Sequence, residues 1–506
     1  MPDSQPQWPP PEGRGGYPGG WGRPAAESRG LLLSGARLAD GRRVDVRLAG
    51  TRIEAVGTVG SLGAPPGTTL VDLDGYLLLP APAEPHAHSD TALSADTDGP
   101  VGYEAEEVQR RTTEAALLQL GHGATALRSH VRIGEVHGLQ ALEAVLEAGR
   151  ALRGLADLSV VAVPRLLTGA AGAEGLALLR DAVKMGASVV GGCPDADPDP
   201  AGYVEAVLEI AAEHGCAVDL HTDGDDPARL ARLAAAVGGL RPGVVVGPCG
   251  GLARLPVRVA GQAAERLAAA GVTVVCLPQG GCGISGYGMP AGYGTSAGYG
   301  VAAGYGMPGD LGMPAGPDAA AGSGSPGDAG APGDLGVPHA QGAPPRLGAL
   351  PPDGVPELSG GVVRSGTAPV RLLRAAGVRV AAGSGALRDT TNPVGRGDPL
   401  EAAYLLASRH GLPPADAYEA VSRMARTALG LPEVRVEAGF PAELLAVRGR
   451  RLAGVLSLAY SRVVVHRGRV VSRTSAVREY CDSAASIALG LPRQGGGPRG
   501  LEWGGA

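Results

Sequence analysis

The sequence predicts an α/β fold: a (β/α)8 TIM barrel with a small flanking β-sandwich domain formed by both chain ends. Three observations predict it. Runs rich in β-branched residues, ending in small or polar ones, alternate eight times with Ala- and Leu-rich helical patterns, the signature of a parallel sheet. His86, His88, His130, His221 and Cys249 fall at the carboxyl ends of those runs, where such barrels keep their active sites. The segments before and after the alternating region read as short strands joined by glycine turns.

The candidate strands are 77–88 (LLLPAPAEPHAH), 124–131 (ATALRSHV), 158–164 (LSVVAVP), 188–194 (SVVGGCP), 217–223 (AVDLHTD), 244–249 (VVVGPC), 272–278 (VTVVCLP) and 378–385 (VRVAAGSG). Each precedes a helical stretch: EAEEVQRRTTEAALLQLG, LQALEAVLEAGRALRG, GLALLRDAVKMG, YVEAVLEIAAEHG, PARLARLAAAVGG, AAERLAAAG, PVRLLRAAG and PLEAAYLLASRHG. The barrel is therefore expected over 77–432, and the flanking β-domain over 29–76 and 433–474.

Residues 1–28 are Pro/Gly-rich without a periodic apolar pattern and read as a disordered tail; 475–506 form a second tail. Within the barrel, 280–356 is a low-complexity Gly/Pro/Tyr tract with the imperfect repeat GYGMPAGYGTSAGYG, expected as a flexible insert. A tyrosine-bearing interaction segment is the other reading of that repeat.

Composition narrows the function classes. The chain has 506 residues, 44% of them hydrophobic, enough to bury a large core. A net charge of -6 and scattered basic residues give no footprint for nucleic acid. No run approaches the ~18 apolar residues of a membrane span. The cysteines lack CxxC spacing and no charged, then apolar, leader opens the chain, so reduced thiols and a cytoplasmic location are expected. Cys193, Cys216 and Cys276 read as small core residues. A small molecule is the expected partner, and the oligomeric state is left open.

Side chains at i and i+2 of a strand share a face, so His86 and His88 can converge on one divalent metal ion, zinc or iron. His130 and Arg128 read as internal hydrogen-bonding residues, and Glu84 as a brace near the barrel mouth rather than a catalytic acid.

The motifs resemble those of the amidohydrolase superfamily, in its cytosine deaminase-like branch, across most of residues 30–475. EPHAHSD (84–90) is similar to that family's first-strand EPHxHxD, RSHVR (128–132) to its RTHVD, GASVVGGCP (186–194) to its GADVVGxxP and HTDG (221–224) to its HCDE. DTTNPVGRGDPLEAA resembles the segment after the eighth strand, and SRMARTALGL a later stretch. The resemblance implies one metal held by His86, His88, His221 and an eighth-strand aspartate, with a glutamate moving protons between water and leaving nitrogen.

Several implied positions are changed. The glutamate position is Gly224, the aspartate ligand position is Gly385 and the acid after it is Ala386. The sixth-strand histidine position is Pro248, and a pyrimidine-binding glutamine aligns with Arg165. Glycine and alanine side chains neither coordinate nor carry protons, so impaired or lost deamination is expected. Asp223, Asp389 and Cys249 are the candidate substitutes, Asp223 as the base. The sole lysine, Lys184, lies in a helical pattern, which disfavours a carbamylated-lysine binuclear site. Two functions follow: a mononuclear metal-dependent hydrolase of non-peptide C–N bonds, or a catalytically inactive barrel that binds a small molecule or a protein.

Overall fold

The computed structural model describes residues 30–95, 101–134, 138–170, 172–240, 243–280, 367–458 and 460–476. The expected tail at 1–28 lies outside them, as do all but Gly280 of the insert and all but Ser475 and Ala476 of the C-terminal tail.

Eight strands form the barrel sheet: β6 (Glu84–Ala87), β7 (Ala126–Ile133), β8 (Asp157–Pro164), β9 (Val189–Gly192), β10 (Ala217–Thr222), β11 (Val245–Pro248), β12 (Thr273–Cys276) and β13 (Arg379–Ala382). They lie in chain order, each parallel to the next. The eight expected helices are all present: α1 (Ala105–Gly121), α2 (Gln140–Ala151), α3 (Gly172–Met185), α4 (Pro200–His214), α5 (Pro227–Val237), α6 (Val257–Ala269), α7 (Val370–Ala375) and α8 (Pro399–His410).

Local chemistry sets several boundaries. Helices α4, α5 and α8 each begin with Asp-Pro, and the carboxylates of Asp199, Asp226 and Asp398 accept bonds from first-turn amides. The proline that follows fixes φ where its missing N–H costs nothing. Gly215 and Gly411 end α4 and α8 in the left-handed region, at φ of 68° and 64°.

The expected first strand, 77–88, divides in two. Tyr76–Pro80 forms β5, which leaves the barrel to pair antiparallel with β14 (Leu444–Arg448) and parallel with β1 (Leu31–Arg37). Pro80 and Pro82 lack the amides that a continuous ladder needs, so the chain changes sheets between them. Strand β5 belongs with β1, β2 (Arg43–Ala49), β3 (Arg52–Thr58), β4 (Thr69–Asp72), β14, β15 (Arg462–His466) and β16 (Arg469–Thr474) in one mixed sheet built from both chain ends. Leu78, Leu444 and Ala446 pack in that sheet's own core, whereas Leu77, Leu79 and Leu445 pack in the barrel's main core. Burial on both faces explains why YLLLP shows no polar alternation.

The same sheet is pinned to the barrel by charge. Arg462 on β15 makes a two-pronged contact with the Asp398 carboxylate, at 2.9 and 2.6 Å, and donates to the His122 carbonyl after α1.

No ladder hydrogen bonds join β13 to β6 among the described residues. Glu84, fully buried, bridges them instead: its carboxylate accepts from the Ser384 amide at 2.8 Å, the Ser384 hydroxyl and the His86 amide at 3.0 Å. A Cβ at Gly383 would lie 2.5 Å from Glu84 Oε1, so the brace requires glycine opposite it. Burial raises the Glu84 carboxyl to about 7, against the downward pull of the bonds from Ser384 and His86.

Candidate metal centre

The site is set by side-chain alternation on three strands. Strand β6 supplies His86, with His88 just beyond it; β7 supplies Arg128 and His130; β10 supplies Asp219 and His221. The ladder between β6 and β7 shifts register between Glu84 and Ala87, around Pro85, which has no amide to pair.

His86, His130 and His221 are fully buried and His88 is 9% exposed. Ring centroids of His86 lie 4.2 Å from His130, 4.6 Å from His221 and 5.3 Å from His88. Nε2 of His88 and Nε2 of His221 are 3.5 Å apart. Two nitrogens bound tetrahedrally to zinc at ordinary bond lengths stand about 3.3 Å apart, so this spacing suits a shared ion. Ligand nitrogens of His86, His88 and His221 all lie within 4.8 Å of one another.

Electrostatics keep these imidazoles neutral, the form that ligates. Burial, followed by the neighbouring histidines, holds His86 and His221 well below the ordinary histidine range. His88 is lowered by burial, by His130 and by Arg132. The donor set therefore fits a divalent ion of borderline character in three-histidine coordination, the fourth position falling to water or substrate.

Beneath this triad lies a charged layer. Arg128 Nη1 donates to Asp219 Oδ2 at 2.9 Å and to the Ala428 carbonyl at 3.0 Å, and Asp219 Oδ1 faces His130 Nε2 at 3.4 Å. Burial alone would raise the Asp219 carboxyl, but His130 and Arg128 overcome it and hold the group well below the usual carboxylate range.

The sequence-predicted substitutes lie elsewhere. Strand β10 ends at Thr222, and the chain then turns through Gly224 at φ +73°. Asp223 consequently leaves the inward alternation: Oδ1 accepts from the Gly251 amide at 2.9 Å and Oδ2 pairs with Arg254. Asp389 is used as a loop cap, accepting from Thr391 at 2.8 and 2.7 Å and from the Asn392 amide at 3.0 Å. Cys249 is fully buried in the apolar core, where burial pushes its thiol far up and away from the ligating thiolate. Arg165 follows β8 and is half-buried. Among the described residues, the metal-ligand groups contain none of Asp223, Asp389 and Cys249.

The two glycines at the implied acid and ligand positions also have left-handed backbones. Gly224 faces Leu252 and Leu230, and Gly385, at φ +71°, faces the Gly280 carbonyl and Leu277. Asp219 escapes a motif-based reading, and Arg132 is passed over although it ends the RSHVR motif. Yet each stands two residues from a singled-out histidine, His221 and His130, a period-two signal for the same strand face.

A cavity of ≈ 260 Å³ lies between α4 and α5, outside the barrel, lined by Asp195, Val204, Thr222, Arg229 and Leu233 among others. No helix among the described residues is long and apolar enough to cross a membrane.

No protein-family model matches the chain. It is 29% identical over 175 residues to N-isopropylammelide isopropyl amidohydrolase of Pseudomonas sp. (strain ADP), covering 30% of this chain and 43% of that protein. It is 25% identical over 276 residues to pterin deaminase of Rhizobium rhizogenes, covering 50% of this chain and 60% of that one. The chain thus spans less than two thirds of either relative. In fold it is similar to the crystal structure of N-isopropylammelide isopropylaminohydrolase from Burkholderia multivorans, with a TM-score of 0.64 at 24% identity, covering 89% of this chain and 100% of that one.

Proposed function

Because the curated and structural neighbours of this chain are deaminases and hydrolases of the amidohydrolase superfamily, we propose that it is a metal-binding barrel for a small nitrogenous substrate, with hydrolysis of non-peptide C–N bonds impaired or lost. His86, His88 and His221 would hold one zinc or iron ion. When bound, such an ion lowers the pKa of water and polarises the bond to be cleaved.

The chain's own residues orient and exclude. Asp219 and Arg128 fix the layer beneath the triad, and Glu84 braces the strand that carries His86 and leads into His88. The observation carrying this reading is the pair of glycines, 224 and 385. Neither can hold or move a proton, and the nearest alternatives by sequence, Asp223 and Asp389, are tied into loop contacts. A positioned acid/base contributes roughly 10²- to 10⁴-fold in rate, so its absence alone makes turnover slow.

Zinc-reconstituted protein passed over a desalting column tests the proposal. We expect the outer triad to hold one tightly bound equivalent of zinc per chain, that equivalent to be lost in His88→Asn and in His221→Asn, and ammonia release from cytosine or a pterin barely above background. A protein that retains no zinc contradicts the metal site, and brisk ammonia release contradicts the impairment.

A further inference from the structure

We infer that the barrel contains a second, deeper cation site, formed by His86, His130 and Asp219, that takes a divalent ion of borderline character such as zinc or cobalt. It is independent of the hydrolytic reading and shares only His86 with the outer triad. One ligand atom from each of the three residues lies within 4.8 Å of the others, and all three side chains are fully buried. Asp219 supplies the anionic ligand that Gly385 cannot.

The division of labour on that carboxylate carries the inference. Arg128 occupies Oδ2 at 2.9 Å, whereas Oδ1 is buried without a hydrogen bond and faces His130 Nε2 at 3.4 Å. Nδ1 of His130 is likewise buried without a hydrogen-bond partner, and Nε2 has only that long contact with Oδ1. Buried polar atoms left in this state cost free energy unless an unseen partner satisfies them. A cation held by Oδ1, His130 and His86 satisfies Asp219 and His130 at once. The 3.4 Å separation matches the roughly 3.3 Å between ligand atoms on a tetrahedral zinc. The Arg128 bond to Oδ2 then does what outer partners of metal-bound carboxylates do, fixing the direction of the other oxygen.

Cobalt(II) binding, followed by equilibrium dialysis and visible absorption, separates the two sites. In the His88→Asn/His221→Asn double variant, which dismantles the outer triad, we expect about one equivalent of cobalt to persist. Adding His130→Asn should weaken it at least tenfold. Should the double variant fail to fold, His88→Asn alone also opens the outer triad and carries the same comparison. A variant lacking the outer triad that binds no cobalt overturns the deeper site, as expected if His130 and Asp219 merely share a proton; cobalt binding by the wild type would then leave the outer triad standing. Conversely, persistence in the double variant together with only one equivalent in the wild type, abolished by His130→Asn, supports the deeper site and removes the outer one.

Discussion

The floor and the rim of this barrel differ sharply. On the floor, Arg128, His130, Asp219 and Glu84 are buried and charged or polar, with Arg128 bonded to Asp219 between β7 and β10 and Glu84 of β6 bonded to Ser384 just beyond β13. At the rim, the positions that the family resemblance assigns to the proton carrier and the fourth ligand are Gly224 and Gly385, and the neighbouring carboxylates serve the loops. Groups that hold the fold together are present on the floor, while at the rim two positions that the family resemblance assigns to the reaction carry no side chain. A buried charge cannot be dropped without stranding its partner, whereas a solvated loop carboxylate can.

The largest effect should come from the floor. Arg128→Met leaves the Asp219 carboxylate buried and unpaired, and should cost about 3–5 kcal/mol, read from the urea midpoint. A change below about 1 kcal/mol would show that the floor is no more constrained than the rim. Glu84→Gln keeps the shape of the brace but weakens its bonds to Ser384 and His86. We expect a loss of about 1–3 kcal/mol and faster amide exchange at Ser384, and unchanged exchange would dissolve the role of Glu84 in closing the barrel.

Rim substitutions should be milder. Gly224→Glu puts a side chain on a left-handed backbone against Leu252 and Leu230, costing about 1–2 kcal/mol. Ammonia release should rise less than tenfold, because that backbone does not aim the new carboxylate at the histidines; a hundredfold gain would show a rim lacking only its side chain. Asp223→Asn disturbs a half-exposed pair with Arg254 and should shift stability by no more than about 1 kcal/mol. A drop in metal affinity in that variant would return Asp223 to the site.

Much of the architecture was legible because β-branched runs and helical periodicities alternate without interruption from 124 to 278. The first strand was misjudged at its start. Leu77, Leu78 and Leu79 are apolar toward both faces, which hides the change of sheet, although Pro80 and Pro82 mark it. The triad was visible as an HxH and a third histidine. Asp219 was hidden because motif likeness draws attention to the end of β10, while the strand period points two residues back. Asp223 misleads in the opposite way: it keeps the period, but the strand has already ended at Thr222.

Steady-state ammonia release from cytosine and from a pterin, by protein with verified bound zinc, tests the contrast most directly. Ordinary enzymes turn over at about 10 s⁻¹, and removing a positioned acid/base takes away roughly two to four decades. The account predicts turnover at or below about 0.1 s⁻¹, and a rate near 10 s⁻¹ would contradict it.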